Sequence, residues 1–339
     1  MKHTTVNRRH FMKTTALSGL GIGLSSSAGL VFGEGKAKNM RIGIIGMDTS
    51  HCVAFTKYIH GLNNGFKVVA AFTTVAKDIP SCYNRVDKFT AQLKDIGIEI
   101  VQSVAQVLER VDFVLLETAD GRERLNQATE IFKSDKPVFM DKAVAASLKD
   151  VVSIYNQAEK YKITTFSSSG TRFISKAQAV RNGEIGKVLG ADTFSPVSYE
   201  PTHSDLFWYG IHGVELLFTT MGKGCKKVRR LKTEKYDIVT GMWKDGRIGT
   251  FRGILENSGK RGYGGQAFGS EDIVNLGGWE GYEPLVDRIL KYFKTGDVPV
   301  DFTETIEIYA FMEAAVESTR QNGAWVTLES VLDKAGFKG

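Results

Sequence analysis

The chain has 339 residues, 42% of them hydrophobic and 24% charged, a composition that excludes a disordered or fibrous protein and leaves room for two cores. Its net charge of +6 rests on Lys2, Arg8, Arg9 and Lys13; beyond residue 33, 40 basic residues face 38 acidic ones, which excludes nucleic-acid binding through bulk charge. Three scattered cysteines, Cys52, Cys82 and Cys225, make neither a disulfide framework nor a C-x-x-C metal pair and are expected as small buried residues.

Residues 1–33 read as an export signal, a basic segment followed by a glycine- and serine-rich apolar stretch over 16–32. That stretch is too weak and interrupted for stable membrane insertion but suits the apolar core of a signal. Arg8-Arg9 followed by Phe11 and Lys13 resembles the twin-arginine consensus R-R-x-F-x-K. The resemblance implies a periplasmic protein that crosses the membrane already folded. No nicotinamide pool exists outside the cytoplasm, so a nucleotide-dependent enzyme exported this way is expected to keep its cofactor tightly bound.

The first strand is predicted over 40–45, a short apolar run broken by Gly46 just before a helix over 50–63. This is the opening of a dinucleotide-binding unit, in which a glycine turn and the following helix N-terminus receive a pyrophosphate. Against G-x-G-x-x-G counted from Gly46, the second glycine is Asp48 and the third is His51, whereas Thr49 and Ser50 keep hydroxyls at the helix mouth. A strand over 66–72 ends in Phe72-Thr73-Thr74 with Lys77 beyond, so the acid that binds the ribose of NAD is missing and NADP stays open. Further strands are expected over 98–101, 111–117, 137–140 and 163–166, and helices over 88–96, 103–110, 127–133 and 147–161. The strands deliver Glu117, Asp120 and Arg122, then Asp141-Lys142-Ala143, then the run from Ser167 to Phe173, to one sheet edge. This alternation predicts a doubly wound parallel sheet.

After Arg172 the pattern changes. A short helix over 175–182, a strand over 186–195 and a helix over 205–221 carrying Trp208, Tyr209, His212 and Glu215 precede strands over 228–233, 236–243, 248–255 and 265–276. Hairpin signals between those strands predict an open, mainly antiparallel sheet, closed by helices over 283–294 and 303–321.

Taken together these residues resemble the Gfo/Idh/MocA oxidoreductase family. The resemblance rests on R-I-G-I-I-G at the opening, V-F-M-D-K-A-V-A-A-S against the family's E-K-P, S-S-G-T-R-F at the start of the second half, and W-Y-G-I-H-G-V-E-L-L-F against its D-x-x-x-H helix. It implies a Rossmann domain over 34–166 and a C-terminal α/β domain over 167–339, whose sheet builds a homo-oligomer. It also implies NAD or NADP as cofactor and a sugar or polyol hydroxyl as the group oxidised. The sequence departs from the family at Asp48 and His51, at Asp141-Lys142-Ala143, and at Trp208, where the family has Asp.

Lys142 and His212 are the expected catalytic pair: an ammonium that holds the reacting oxygen and an imidazole that takes its proton. Expected cofactor contacts are Gly43, Gly46, Asp48, Thr49, Ser50, His51, Thr73, Glu117, Asp120, Arg122 and Lys142. Expected substrate contacts are Arg172, His203, Tyr209 and Glu215, the last placed to orient the His212 ring; Tyr199, Trp208 and Tyr209 are candidates to stack on a sugar. No metal is expected, because neither His51 with Asp48 nor His203 with His212 and Glu215 makes a tight ligand set. Two other functions stay open: a glycoside lyase or hydrolase working by transient oxidation, and a non-catalytic sugar-binding protein.

Overall fold

Met40–Ile45 (β1) buries Ile42, Ile44 and Ile45 completely, and a Cβ on Gly43 would stand 2.4 Å from Val107 Cγ1. A strand covered on both faces belongs at the centre of a parallel sheet. Gly43 is therefore a packing residue facing the layer beneath, which corrects its assignment to the cofactor.

The computed structural model describes residues 40–256 and 262–337, so the export signal expected over 1–33 lies outside the described residues. From β1 the chain alternates through His51–Gly61 (α1), Phe66–Phe72 (β2), Pro80–Asp95 (α2), Glu99–Ile100 (β3), Val104–Leu108 (α3), Phe113–Leu116 (β4), Arg124–Lys133 (α4), Val138–Asp141 (β5), Leu148–Tyr161 (α5) and Thr165–Ser168 (β6). The strands form one parallel sheet in the order β3-β2-β1-β4-β5-β6. The chain adds β2 and β3 on one side of β1 and β4 to β6 on the other, and this switch between β1 and β4 opens a crevice at their carboxyl ends. Ser103 and Ser147 cap α3 and α5 by accepting from Gln106 N and Asp150 N. The second helix begins well before the expected residue 88, because Pro80 occupies its first turn, where a missing N–H costs nothing, and Ile79 and Cys82 anchor that turn in the interior.

A turn at Gly170–Phe173 leads to Ser175–Arg181 (α6), Val188–Pro196 (β7), Ile211–Met221 (α7), Cys225–Lys232 (β8), Tyr236–Trp243 (β9), Ile248–Ile254 (β10), Gly264–Gly269 (β11) and Ile273–Asn275 (β12). Glu283–Thr295 (α8), Phe302–Arg320 (α9), Val326–Thr327 (β13) and Leu328–Lys334 (α10) complete the described chain. The second sheet runs β12-β11-β7-β10-β9-β8-β13 and is antiparallel except where β7 meets β10. The helix expected over 205–221 starts only at Ile211: residues 205–210 are turns, and Ile211 N closes back on Leu206 O at 2.9 Å. The strand expected over 265–276 is a hairpin closed by Gly269 N donating to Asp272 O at 2.8 Å.

Helices α7 and α9 cover one face of this sheet, with Phe218, Val239, Trp243, Phe251 and Phe311 between the layers. The other face is open and carries Leu231, Ile248 and Ile273, each about half exposed or more. Helix α8 returns to the first sheet, where Leu285, Val286 and Ile289 pack with Phe55 and Ile59 of α1. The two sheets are joined directly. Val144 N donates to Tyr309 Oη at 2.6 Å, Ser204 N to Ala146 O at 3.1 Å, and Gly121 N to His203 Nε2 at 2.8 Å. The described residues all fall within one compact unit, and among them no helix is long and apolar enough to cross a membrane.

Candidate active site

Parallel strands end together, so the residues that follow β1, β4, β5 and β6 meet at one edge. The turn after β1 can pass close to β4 only because Gly46 lacks a side chain: its φ is +111° and a Cβ there would stand 2.0 Å from Thr118 N. The buried Arg124 ties the neighbouring ends, donating from Nε to Thr118 O at 2.6 Å and from Nη1 to Asp141 O. Two adjoining cavities lie above this edge, of about 230 and 300 Å³, and Thr49, Arg85, Lys142 and Tyr209 line both. A larger hollow of about 560 Å³ beside α10 lies away from all of these residues, and its half-buried acid, Glu307, is already satisfied by Gly224 N and Cys225 N at 2.7 Å.

Lys142 comes from the first sheet and His212 from α7 beneath the second, and both line the 300 Å³ cavity. Among the described residues no carboxylate reaches ion-pair distance of the Lys142 ammonium, which lies 5.8 Å from the centroid of the Tyr209 ring. Burial pulls the lysine pKa below its ordinary value; Arg124 and Arg85 add to that pull, and Asp141 opposes it. Burial also drives the pKa of His212 well below 6.5, helped by the charges of Lys142 and His51. His212 is therefore a neutral base near pH 7.

Its tautomer follows from counting protons. His212 Nδ1 is 2.6 Å from Ser169 Oγ, and Thr171 Oγ1 spends its only proton on His212 O at 2.7 Å. Ser169 then gives its proton to Thr171 Oγ1 at 2.9 Å and accepts from Thr171 N and from Nδ1–H. Every group is satisfied, and Nε2 keeps a bare lone pair.

A second histidine faces the same cavity. His51 Nδ1 lies 2.6 Å from Asp141 Oδ2, and its ring is stacked on Phe55 and meets the edge of Tyr282. Burial pushes the Asp141 carboxyl up, but His51, Lys142 and Arg124 outweigh it and hold the group below the ordinary carboxylate range. The 230 Å³ cavity carries the acids. Asp48 is buried and accepts from Ala119 N at 3.0 Å, and burial raises its pKa. Glu117 is fully buried with neither oxygen hydrogen-bonded, and burial, then Asp141, raise its pKa well above the ordinary value. Burial thus favours its protonated form, which has a proton to donate.

Several expected contacts lie elsewhere. Arg172 is not a substrate ligand: it is buried between Glu215 Oε1 at 2.7 Å and Glu304 Oε1 at 2.8 Å. Glu215 does not touch the His212 ring; it accepts from Ser168 Oγ and Ser169 N, and so acts on His212 only through Ser169. His203 is spent on Gly121 N, and burial lowers its pKa to about 4. Thr73 is consumed locally, accepting from Met47 N and donating to Thr74 O. Asp120 and Arg122 form a rim ion pair that Asp78 extends with two contacts of 2.7 Å to the guanidinium. Tyr199 hydrogen-bonds Asp237 and Arg230 away from both cavities, and Lys77 is exposed and lines neither. Thr49, Ser50, Tyr209 and Trp208 do line them, and the three cysteines are free and buried.

Sequence reasoning missed Arg85, Ser169, Tyr263, Trp279 and Tyr282. Arg85 stands in the first turns of α2, ahead of the expected start at residue 88. Trp279 and Tyr282 carried a readable signal: large aromatics in the glycine-rich stretch Gly277-Gly278-Trp279-Glu280-Gly281-Tyr282 have no helix or strand to bury them.

No family model and no curated protein matches the sequence. Solved structures do. A probable dehydrogenase from Thermotoga maritima is 20% identical with a TM-score of 0.68, covering 86% of this chain and 100% of that one. The scyllo-inositol dehydrogenase of Lactobacillus casei, solved with NAD(H) and scyllo-inositol, is 13% identical with a TM-score of 0.70, covering 86% and 100%. GenD2 from gentamicin A biosynthesis, solved with NAD, is 15% identical with a TM-score of 0.67, covering 91% and 99%. At these identities the likeness is one of fold.

Proposed function

We propose that this chain is a divergent Gfo/Idh/MocA oxidoreductase that oxidises a sugar or polyol hydroxyl with NAD or NADP. One observation carries the reading: an unpaired lysine from the parallel sheet and a neutral histidine from the second domain line the same cavity. The crevice has donors for a dinucleotide. The N-terminus of α1 opens there with Thr49 and Ser50, Gly46 lets the backbone approach, and the orphaned carboxyl of Glu117 offers a proton inside the 230 Å³ cavity. The dehydrogenases of the same fold that hold NAD support the assignment. When bound, the nicotinamide accepts the hydride released from the substrate carbon.

The residues of the chain do the rest. His212 Nε2 takes the hydroxyl proton, Ser169 keeps the ring in the tautomer that leaves Nε2 bare, and the Lys142 ammonium stabilises the charge growing on the oxygen. His51, fixed by Asp141, adds a second imidazole to the cavity. That favours, as an alternative, cleavage of a glycoside through transient oxidation, which needs a further proton transfer.

The sequence supports two finer readings: export by the twin-arginine route to the periplasm with the cofactor already bound, and a homo-oligomer built on the open face of the second sheet. The test is to denature the purified protein, identify any released nucleotide by mass, and follow nucleotide reduction with inositols and aldoses. His212→Ala and Lys142→Ala should each lower kcat by about a hundredfold or more while leaving the melting curve intact. Full activity in both variants would overturn the assignment.

A further inference from the structure

Among the described residues, none that lines the larger of the two cavities carries a carboxylate. Its wall is made of Lys142, Arg85, His51 and His212, the hydroxyls of Thr49, Ser50, Ser169, Thr171 and three tyrosines, and the indole of Trp279. The acceptors in this wall, its hydroxyl oxygens and the bare Nε2 of His212, are all neutral and do not offset the charge of Lys142 and Arg85. Here the nearby acids are already used or face the other cavity. Asp141 accepts from His51 and from Lys142 N at 2.8 Å, Asp48 accepts from Ala119 N, and Glu117 lines only the smaller space.

Two cations in this wall have no anion of their own. Among the described residues neither Arg85 nor Lys142 forms an ion pair, and the Arg85 Nε only donates to Ser81 O, which leaves the rest of its guanidinium fork unspent. Their fields overlap, since the charge of Arg85 is one of those that lower the pKa of Lys142. Asp141 and Asp48 on the side of the adjoining cavity offset these like charges only in part, and a ligand of opposite sign would complete the compensation. At the mouth, Trp279 is 45% exposed and meets Tyr282 edge-on with ring centroids 4.9 Å apart, an aromatic plate of the kind that stacks on a sugar face.

We propose that this cavity takes an anionic carbohydrate, a sugar carrying a carboxylate or a phosphate, with the charge held by Arg85 and Lys142 and the ring against Trp279. The proposal rests on the oxidoreductase reading and names its substrate class.

Calorimetric titration of the full-length protein with D-glucuronate, D-glucose 6-phosphate and D-glucose, with and without NAD, tests it. At least one anionic sugar should bind about tenfold or more tighter than glucose, and Arg85→Gln should remove about that preference while Arg85→Lys keeps part of it. Which anion binds distinguishes carboxylate from phosphate. Glucose binding as tightly as either acid, no binding of either acid, or an Arg85→Gln variant that loses NAD affinity in place of sugar affinity would each overturn the proposal. The two readings fail separately. Reduction of NAD by a neutral polyol without preference for charge removes only the anionic substrate, whereas binding of an anionic sugar by a protein that takes no nucleotide removes only the oxidoreductase.

Discussion

His212 is useful as a base only while Ser169 accepts its Nδ1 proton. Ser169→Ala removes that acceptor, together with the two hydrogen bonds that Ser169 Oγ shares with Thr171, so kcat should fall about ten- to hundredfold with a smaller change in KM, read from initial rates of nucleotide reduction. The depressed pKa of His212 sets the sign of the pH profile. The base must be unprotonated and its pKa is lowered by burial, so the acid limb of oxidation should lie at lower pH than an ordinary imidazole would give. Arg172 carries the opposite kind of importance. Removing it leaves Glu215 and Glu304 buried without their shared partner, so Arg172→Met should cost about 3–5 kcal/mol in denaturant unfolding, far more than a rim residue would. A change in KM at undiminished stability would restore it to the substrate.

At the scale of elements, the parallel sheet was the legible part. Continuous apolar runs such as those of β1 and β4 have one stable home, covered on both faces, and their order places Lys142 at the ligand edge without further information. What escaped the sequence depended on contacts between distant segments. Nothing in Arg172 or His203 announces that Glu304 or Gly121 will claim them, and Glu215, three residues from His212, points to Ser168 and Ser169 because those lie where β6 ends. The start of α2 escaped because Pro80 reads as a breaker until its place in the first turn is known. Gly46 could be read, since the strand-to-helix turn needs a positive φ and room for β4. Gly46→Ala adds a methyl at 2.0 Å from the Thr118 backbone, and should cost about 2 kcal/mol or more in chemical denaturation and lower nucleotide affinity together with it.

For the whole molecule, burial of neutral histidines makes stability depend on pH. His203 titrates near 6.5 when unfolded and at about 4 when folded, so the unfolded chain binds more protons between those values, and stability is lost as pH falls through that window. His203→Gln, whose amide oxygen can still accept from Gly121 N, should lessen the drop in Tm between pH 6.5 and pH 4 by a few degrees, to about 4 °C at most. The open face of the second sheet exposes Ile248 beside the partly buried Met242 and Thr250, a mixed surface of apolar and charged side chains on which we propose that a second copy of the chain docks. Ile248→Lys should shift the mass measured by light scattering towards the monomer without altering the melting curve.

Three hydrogen bonds, donated by Val144 N and Gly121 N and accepted by Ala146 O, fasten the two lobes at the floor of the cleft. Lobes fastened there cannot swing like jaws around each arriving molecule, so reactants must pass through a doorway of fixed width. Turnover in such a vessel is paced by the chemical step, with no closing motion to wait for, and raising solvent viscosity with sucrose should leave kcat flat.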